Sequence, residues 1–151
     1  AIYSTAEVFI GTDSTAAEAF SAHMAMIGQA AQPTVIQTDA IGFFYDPQDT
    51  LGMGSGASPN WLAITRASSV QSLVASSTAA AGTTFATRRR LEILATPAVA
   101  AFYINGALAA SINTNIPTAL LRPSTAVVKA VGTTQVSIAA YRQYTGCRYS
   151  L

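Results

Sequence analysis

Charge is what this chain has least of. Only 10% of its 151 residues are Asp, Glu, Lys or Arg, where a globular domain usually carries about a quarter. A surface so poor in charge is either covered by partners or meets solvent through Ser, Thr and Ala. Cysteine and histidine are down to one each, Cys147 and His23. A single cysteine excludes an intrachain disulfide and a thiolate metal site, and it leaves the redox compartment open. A single histidine falls short of the usual zinc set of three or four ligands, so His23 reads as a strand residue with a satisfied side chain. No run approaches the ~20 apolar residues of a membrane span, so no membrane partner is expected. Residues 1–30 show no basic start followed by an apolar core, so no signal peptide is expected.

The same scarcity limits chemistry. Nucleophilic catalysis needs a nucleophile, a base and an orienting group, and no Gly-x-Ser-x-Gly elbow exists in this sequence. Glycoside hydrolysis needs two carboxylates across a cleft. The glutamates are Glu7, Glu18 and Glu92, with no Glu-x-Asp-x-Glu strand pattern. Asp46, Asp49 and Asn60 share one loop without EF-hand spacing, and Asp46-Pro47 and Asp49 read as turn formers rather than calcium ligands. No enzyme activity, metal or cofactor is therefore expected. Arg88-Arg89-Arg90 is the one charge run. Strand alternation sends Arg89 to the face opposite its neighbours, and a nucleic-acid binder would show a broader basic patch, so no nucleic acid is expected.

What the chain does have is turn punctuation between short apolar runs. In residues 101–110, Asn105-Gly106 divides two strand-like stretches. Asn-Gly supplies the positive φ angles of a type I′ hairpin, whose twist matches its flanking strands. Ten strands are predicted, over 6–10, 20–27, 40–45, 61–66, 71–75, 89–95, 99–104, 107–112, 125–131 and 135–144. Several alternate with period two: Leu91 and Ile93 share a face with Arg89, and Val136 shares one with Ile138. Two Ala-rich stretches invite a helical reading. Residues 16–31 place Phe20, Met24 and Ile27 at helical spacing, yet a strand there keeps one all-β reading along the whole chain. Residues 75–86 carry Ser76, Ser77, Thr78, Gly82, Thr83 and Thr84, which argues for a loop. Residues 46–60 form the longest irregular stretch, a length usually reserved for function or mobility. Ile116-Pro117 and Arg122-Pro123 bracket a connection that must enter an edge strand or a bulge.

One constellation hints at ligand binding. Aromatic faces stack on sugar rings while Asn and Asp bond the hydroxyls, and Tyr45, Asp46, Asn60, Trp61 and Arg66 would converge if the long loop folds over. The competing reading puts Trp61 in the core. The charges are also segregated: six of seven acids precede residue 50, and all eight bases fall from Arg66 onward. That asymmetry leaves a head-to-tail contact between copies open.

Ile41-Gly42-Phe43-Phe44-Tyr45-Asp46, Asn60-Trp61-Leu62-Ala63-Ile64-Thr65-Arg66, Arg90-Leu91-Glu92-Ile93, Phe102-Tyr103-Ile104-Asn105-Gly106 and Thr114-Asn115-Ile116-Pro117-Thr118 follow one another in that order. The series resembles the concanavalin A-like (lectin/glucanase) jelly-roll domains of bacteriophage virion proteins, whose closing strand is similar to Thr134 through Arg142. The blocks are mostly strand and turn signatures, so the resemblance speaks for fold more than for function. It also implies that the family's first strands are missing here, leaving a sheet edge to be covered by another chain or segment. Residues 145–151 then run past the usual last strand as a C-terminal tail. The wider fold's metal-dependent lectin ligands have no counterparts in this sequence.

The expectation is thus an all-β domain over residues 1–144, a two-sheet antiparallel β-sandwich of jelly-roll type. Its facing sheets would bury Phe43, Tyr45, Trp61, Ile64, Leu91, Ile93, Phe102, Ile104, Val127, Val136 and Ile138, in an alternating split between core and rim. The resemblance and the missing active site together imply a non-enzymatic virion structural protein on the phage particle surface. It would be a capsid decoration protein or a fibre or spike module, touching other virion proteins as a homo-oligomer through protein–protein contacts, with the bare edge open to β-augmentation. The alternative is a carbohydrate-binding, lectin-like host-recognition module.

Overall fold

The computed structural model describes residues 1–28, 37–54, 58–82 and 87–147, and all of its regular structure is strand. The strands in order are β1 (Ile2–Ile10), β2 (Phe20–Ile27), β3 (Ala40–Tyr45), β4 (Asn60–Ala67), β5 (Val70–Ala79), β6 (Arg89–Ala95), β7 (Ala100–Ile104), β8 (Ala107–Ile112), β9 (Arg122–Lys129) and β10 (Ile138–Cys147). They form two antiparallel five-stranded sheets, β10-β1-β6-β7-β8 and β5-β4-β3-β2-β9, stacked as a β-sandwich of jelly-roll type. Among the described residues no helix is long and apolar enough to cross a membrane.

The predicted hairpin is in place. Asn105 and Gly106 have φ of 53° and 82°, and they join β7 to β8 in register through Ile104↔Ala107. Residues 20–27 are strand and not helix. Pro123 falls on β9, an outer strand of its sheet, where its missing N–H costs no ladder bond.

Several boundaries move. β1 starts at Ile2 and not at residue 6, and β9 and β10 lie about three residues away from their expected ends. Residues 76–79, expected in a loop, continue β5. Asn60 holds that extension, donating from Nδ2 to the Ser76 carbonyl at 2.8 Å beside a register shift in β4. Residues 83–86 of that expected loop lie outside the described residues. The tail is shorter than expected, because Thr145, Gly146 and Cys147 belong to β10 and pair with Ser4, Tyr3 and Ile2. Nor is the edge beside β1 bare. β1 lies between β10 and β6, with both flanks hydrogen-bonded.

The two sheets are buried differently. In β1, β6 and β7 burial alternates, with one face inward and one outward. Strands β2 and β3 are buried at every position. The inter-sheet core holds Phe20, Phe43, Tyr45, Trp61, Leu91, Ile93 and Phe102, and each such side chain contributes roughly 1.5–3 kcal/mol. A second cluster, Ala25, Ile27, Phe44, Leu62 and Ile64 with Leu51 and Met53, lies on the far side of the second sheet. Ile64, expected between the sheets, belongs there, while Val127, Val136 and Ile138 are only half-buried at the core's margin. Among the described residues, Leu51 and Met53 of the β3–β4 connection roof this outer cluster.

Candidate functional site

The five residues that would converge on a sugar if the long loop folded over do not form one surface, and Trp61 takes the core position that the competing reading gives it. Trp61 is 0% exposed, and its ring meets Phe43 and Tyr45 edge-on at 6.3 and 6.5 Å. Tyr45 is buried beside it, and its hydroxyl accepts the Ser14 amide at 2.9 Å. Burial raises the Tyr45 hydroxyl above the ordinary phenol value.

Asp46 is buried too, and its carboxylate accepts from Thr50 N and Oγ1, both at 2.7 Å, and from Leu51 N at 2.9 Å. Asp49 repeats the device, its Oδ1 accepting Gly54 N at 2.8 Å. Both aspartates are therefore the turn formers the sequence suggests. Arg66 donates to Gln71 Oε1 at 2.9 Å, and Gln71 donates to the Met53 carbonyl. Residues 46–54 are thereby strapped onto the second sheet, and the long loop seals a face where a binding loop was expected. Residues 55–57 of that loop lie outside the described residues.

The motif Thr114-Asn115 works as a second strap. The Thr114 carbonyl accepts Thr65 Oγ1 at 2.8 Å, and Asn115 Nδ2 donates to Ser72 Oγ at 2.9 Å. These bonds tie the β8–β9 connection to β4 and β5.

His23 is a satisfied strand residue. It is buried on the sealed side of β2, with Nε2 2.8 Å from Ser124 Oγ and its ring 5.4 Å from Phe44. Burial pushes its pKa down to about 4. A folded value below the ordinary ~6.5 means that the unfolded chain takes up the proton first. The stabilisation from neutral His23 is then complete above pH 6.5 and is lost as pH falls through 4. Urea unfolding at pH 7 and pH 4 is expected to differ by roughly 3 kcal/mol from this residue. His23→Gln flattens the slope between pH 6.5 and 5, a window above the ordinary carboxylate range. An unchanged slope there in the variant refutes the assignment.

What faces outward on the first sheet is different in kind. Tyr3, Thr5, Glu7, Arg90, Glu92, Leu94, Tyr103 and Leu108 alternate with the core positions of β1, β6, β7 and β8, and β10 adds Tyr141 and Tyr144. The register lines up Tyr144, Thr5, Glu92, Tyr103 and Leu108 in one row across the sheet. Leu108 and Tyr144 are each 60% exposed. At the centre, Glu92 accepts Tyr3 Oη at 3.0 Å on one oxygen and Arg90 Nε at 2.9 Å on the other. Tyr3 in turn packs against Tyr144 at 6.2 Å. Burial first, then the Glu92 carboxylate, raise the Tyr3 hydroxyl above the ordinary phenol value. The face is thus a fixed polar triad set among tyrosines and leucines. None of these tyrosines stands out from the sequence until the period-two pattern is read for its outward positions.

No family model matches the chain, and no curated protein matches it. Among the described residues no three of His, Cys, Asp and Glu gather as a metal-binding group.

Proposed function

We propose that this chain is a non-enzymatic structural module of a bacteriophage virion, a decoration protein or part of a fibre or spike. It acts through protein–protein contacts and assembles with its own copies. The observation that carries this reading is the contrast between the two sheets. On the second sheet, the outer apolar cluster of β2, β3 and β4 is covered by the chain's own strap. The first presents Tyr3, Leu94, Tyr103, Leu108, Tyr141 and Tyr144 outward around the Arg90–Glu92 pair. Aromatic residues and arginine are the types enriched in protein interfaces, and a low surface charge suits a face meant to be covered. The ordered strand and turn blocks similar to phage jelly-roll domains supply the virion context.

A second reading, a glycan-binding module, shifts from Trp61 to the same face, where Tyr3, Tyr103 and Tyr144 offer rings beside a carboxylate and a guanidinium.

The two readings separate in one experiment. Leu108→Glu and Tyr144→Ala are made in the intact protein, and incorporation into purified particles and glycan-array binding are both measured. The contact reading expects Leu108→Glu to cut incorporation at least tenfold while the melting temperature stays within a few degrees. Wild-type levels of Leu108→Glu in the particle, or absence of the chain from particles altogether, overturn it. Array binding that Tyr144→Ala abolishes establishes the glycan reading instead.

A further inference from the structure

The first sheet holds its strands with unequal grip. β1 is anchored: Ser4, Ala6, Val8 and Ile10 are buried inward, and β6 pairs along its length. β10 is not. None of its residues 138–146 is buried, 140–144 are exposed, and Ile138 meets the core only at the margin. β10 is kept in place by its ladder to β1 and by side-chain contacts, among them the Tyr3–Tyr144 ring pair, the Ser4 Oγ–Thr145 Oγ1 bond at 3.0 Å and a long Thr125–Gln143 bond of 3.4 Å.

The link from β9 to β10 is, by contrast, tightly fixed. Glu18 reaches across from the β1–β2 connection and accepts from Lys129 Nζ, from the backbone N–H groups of Thr133 and Thr134, and from Thr134 Oγ1 at 2.9 Å. Gly132 has φ of 91°, and a Cβ there would come within 2.2 Å of Glu18 Oε2. One carboxylate therefore sets the direction in which the chain leaves β9.

We propose that β10 is an exchangeable strand, traded between two copies of this chain so that each completes the other's sheet against β1, with Glu18 as the latch on the hinge. Exchange re-forms the same pairs between chains that it breaks within one, so its net cost is small.

The ladder also selects its occupant. Thr5 pairs with Tyr144 but Glu7 with Tyr141, so Arg142 and Gln143 together oppose Ala6, and Arg142 takes a φ of 50° to make that bulge. A bulge of this kind pins register. A second copy's β10 carries it at the right place, and an unrelated edge strand does not. The inference rests on the reading of this chain as an oligomeric contact module and specifies how its copies join.

Ser4→Cys and Thr145→Cys face each other closely enough for a disulfide, with Cys147→Ser to remove the native thiol. The variant is prepared in light and isotopically heavy forms, mixed at high concentration and oxidised, and the 4–145 linked peptides are read by mass spectrometry. Exchange predicts linked peptides that join light to heavy chains. Adding Glu18→Gln raises their rate of appearance about tenfold or more. A control with cysteines at 4 and 108 gives none. Linked peptides drawn only from one label overturn the exchange. Sedimentation of the same sample then separates the two claims. An oligomer with purely intrachain links leaves the contact-module reading standing, and a monomer with purely intrachain links removes both.

Discussion

Trp61→Ala is expected to lower the unfolding free energy by about 3–5 kcal/mol, the usual cost of emptying a large aromatic site in a packed core. For a chain of this length that corresponds to a fall of roughly 10–15 °C in melting temperature. It is a large share of the ~5–15 kcal/mol that holds a typical domain together. The indole packs against Phe43 and Tyr45 with no exposure of its own. Trp61→Phe is the informative companion. It keeps most of the volume and removes an Nε1–H that has no acceptor among the described residues. A buried donor without a partner costs about 1–3 kcal/mol, which offsets part of the lost packing, so this variant stays close to wild type. As Trp61 is the sole tryptophan, emission from the native protein reports on this site alone and is expected at the short wavelengths of a dry indole. A Trp61→Ala protein that melts within a few degrees of wild type would return the residue to the surface and reopen the sugar reading built on it.

Gly42→Ala is the second large effect, and here the cause is backbone. Gly42 pairs with Ala25 across the two central strands of the second sheet. A Cβ at residue 42 would lie 2.3 Å from the Ala25 Cβ, 2.6 Å from its Cα and 2.9 Å from the Met24 carbonyl oxygen. None of those atoms is the end of a flexible side chain, so β2 and β3 must part. Overpacking commonly costs about 1–3 kcal/mol and more when the backbone has to give. The expectation is at the upper end or beyond. Chemical denaturation of Gly42→Ala, alone and with Ala25→Gly, tests the mechanism. The second change removes the nearest clash and restores part of the loss, while the new methyl still presses on the main chain of residues 24 and 25. A Gly42→Ala protein of wild-type stability contradicts the close approach.

These two residues show how far the sequence can be read. Gly42 and Trp61 belong to blocks that mark strands well, because Asn-Gly turns, period-two alternation and Pro at edges each have a local physical cause. Asn105-Gly106 is legible for that reason, and so are the strands around it. The β5 extension is not. Ser76 and Thr78 have no apolar alternation to announce a strand, and it takes the pairing with β4 and the cross-strand bond from Asn60 to show it. The double burial of β2 is present in the sequence in another form. Phe20–Ile27 is apolar at nearly every position, the mark of a strand covered on both faces, and the same run imitates a helix by placing Phe20, Met24 and Ile27 on one stripe.

The sugar platform expected from residue type falls on the wrong side of a sheet, because chemistry alone cannot say which side is open. Trp61 and Tyr45 have the rings for it, but their parity along β4 and β3 points them inward. Tyr3, Tyr103 and Tyr144 have similar chemistry with the opposite parity. Asp46 and Arg66 are chemically active, yet their work is spent on tying down a loop.

The place of β1 in its sheet has a consequence for synthesis. Its two neighbours are residues 89–95 and 138–147, so a ribosome delivers β1 long before either partner exists. The second sheet's β2, β3, β4 and β5 pair in the order of their translation. That sheet can form early, while β1 waits with both backbone edges unsatisfied. Pairings so distant along the chain close slowly and leave the nascent protein open to mispairing, most of all in a crowded cell where many identical chains are being made at once.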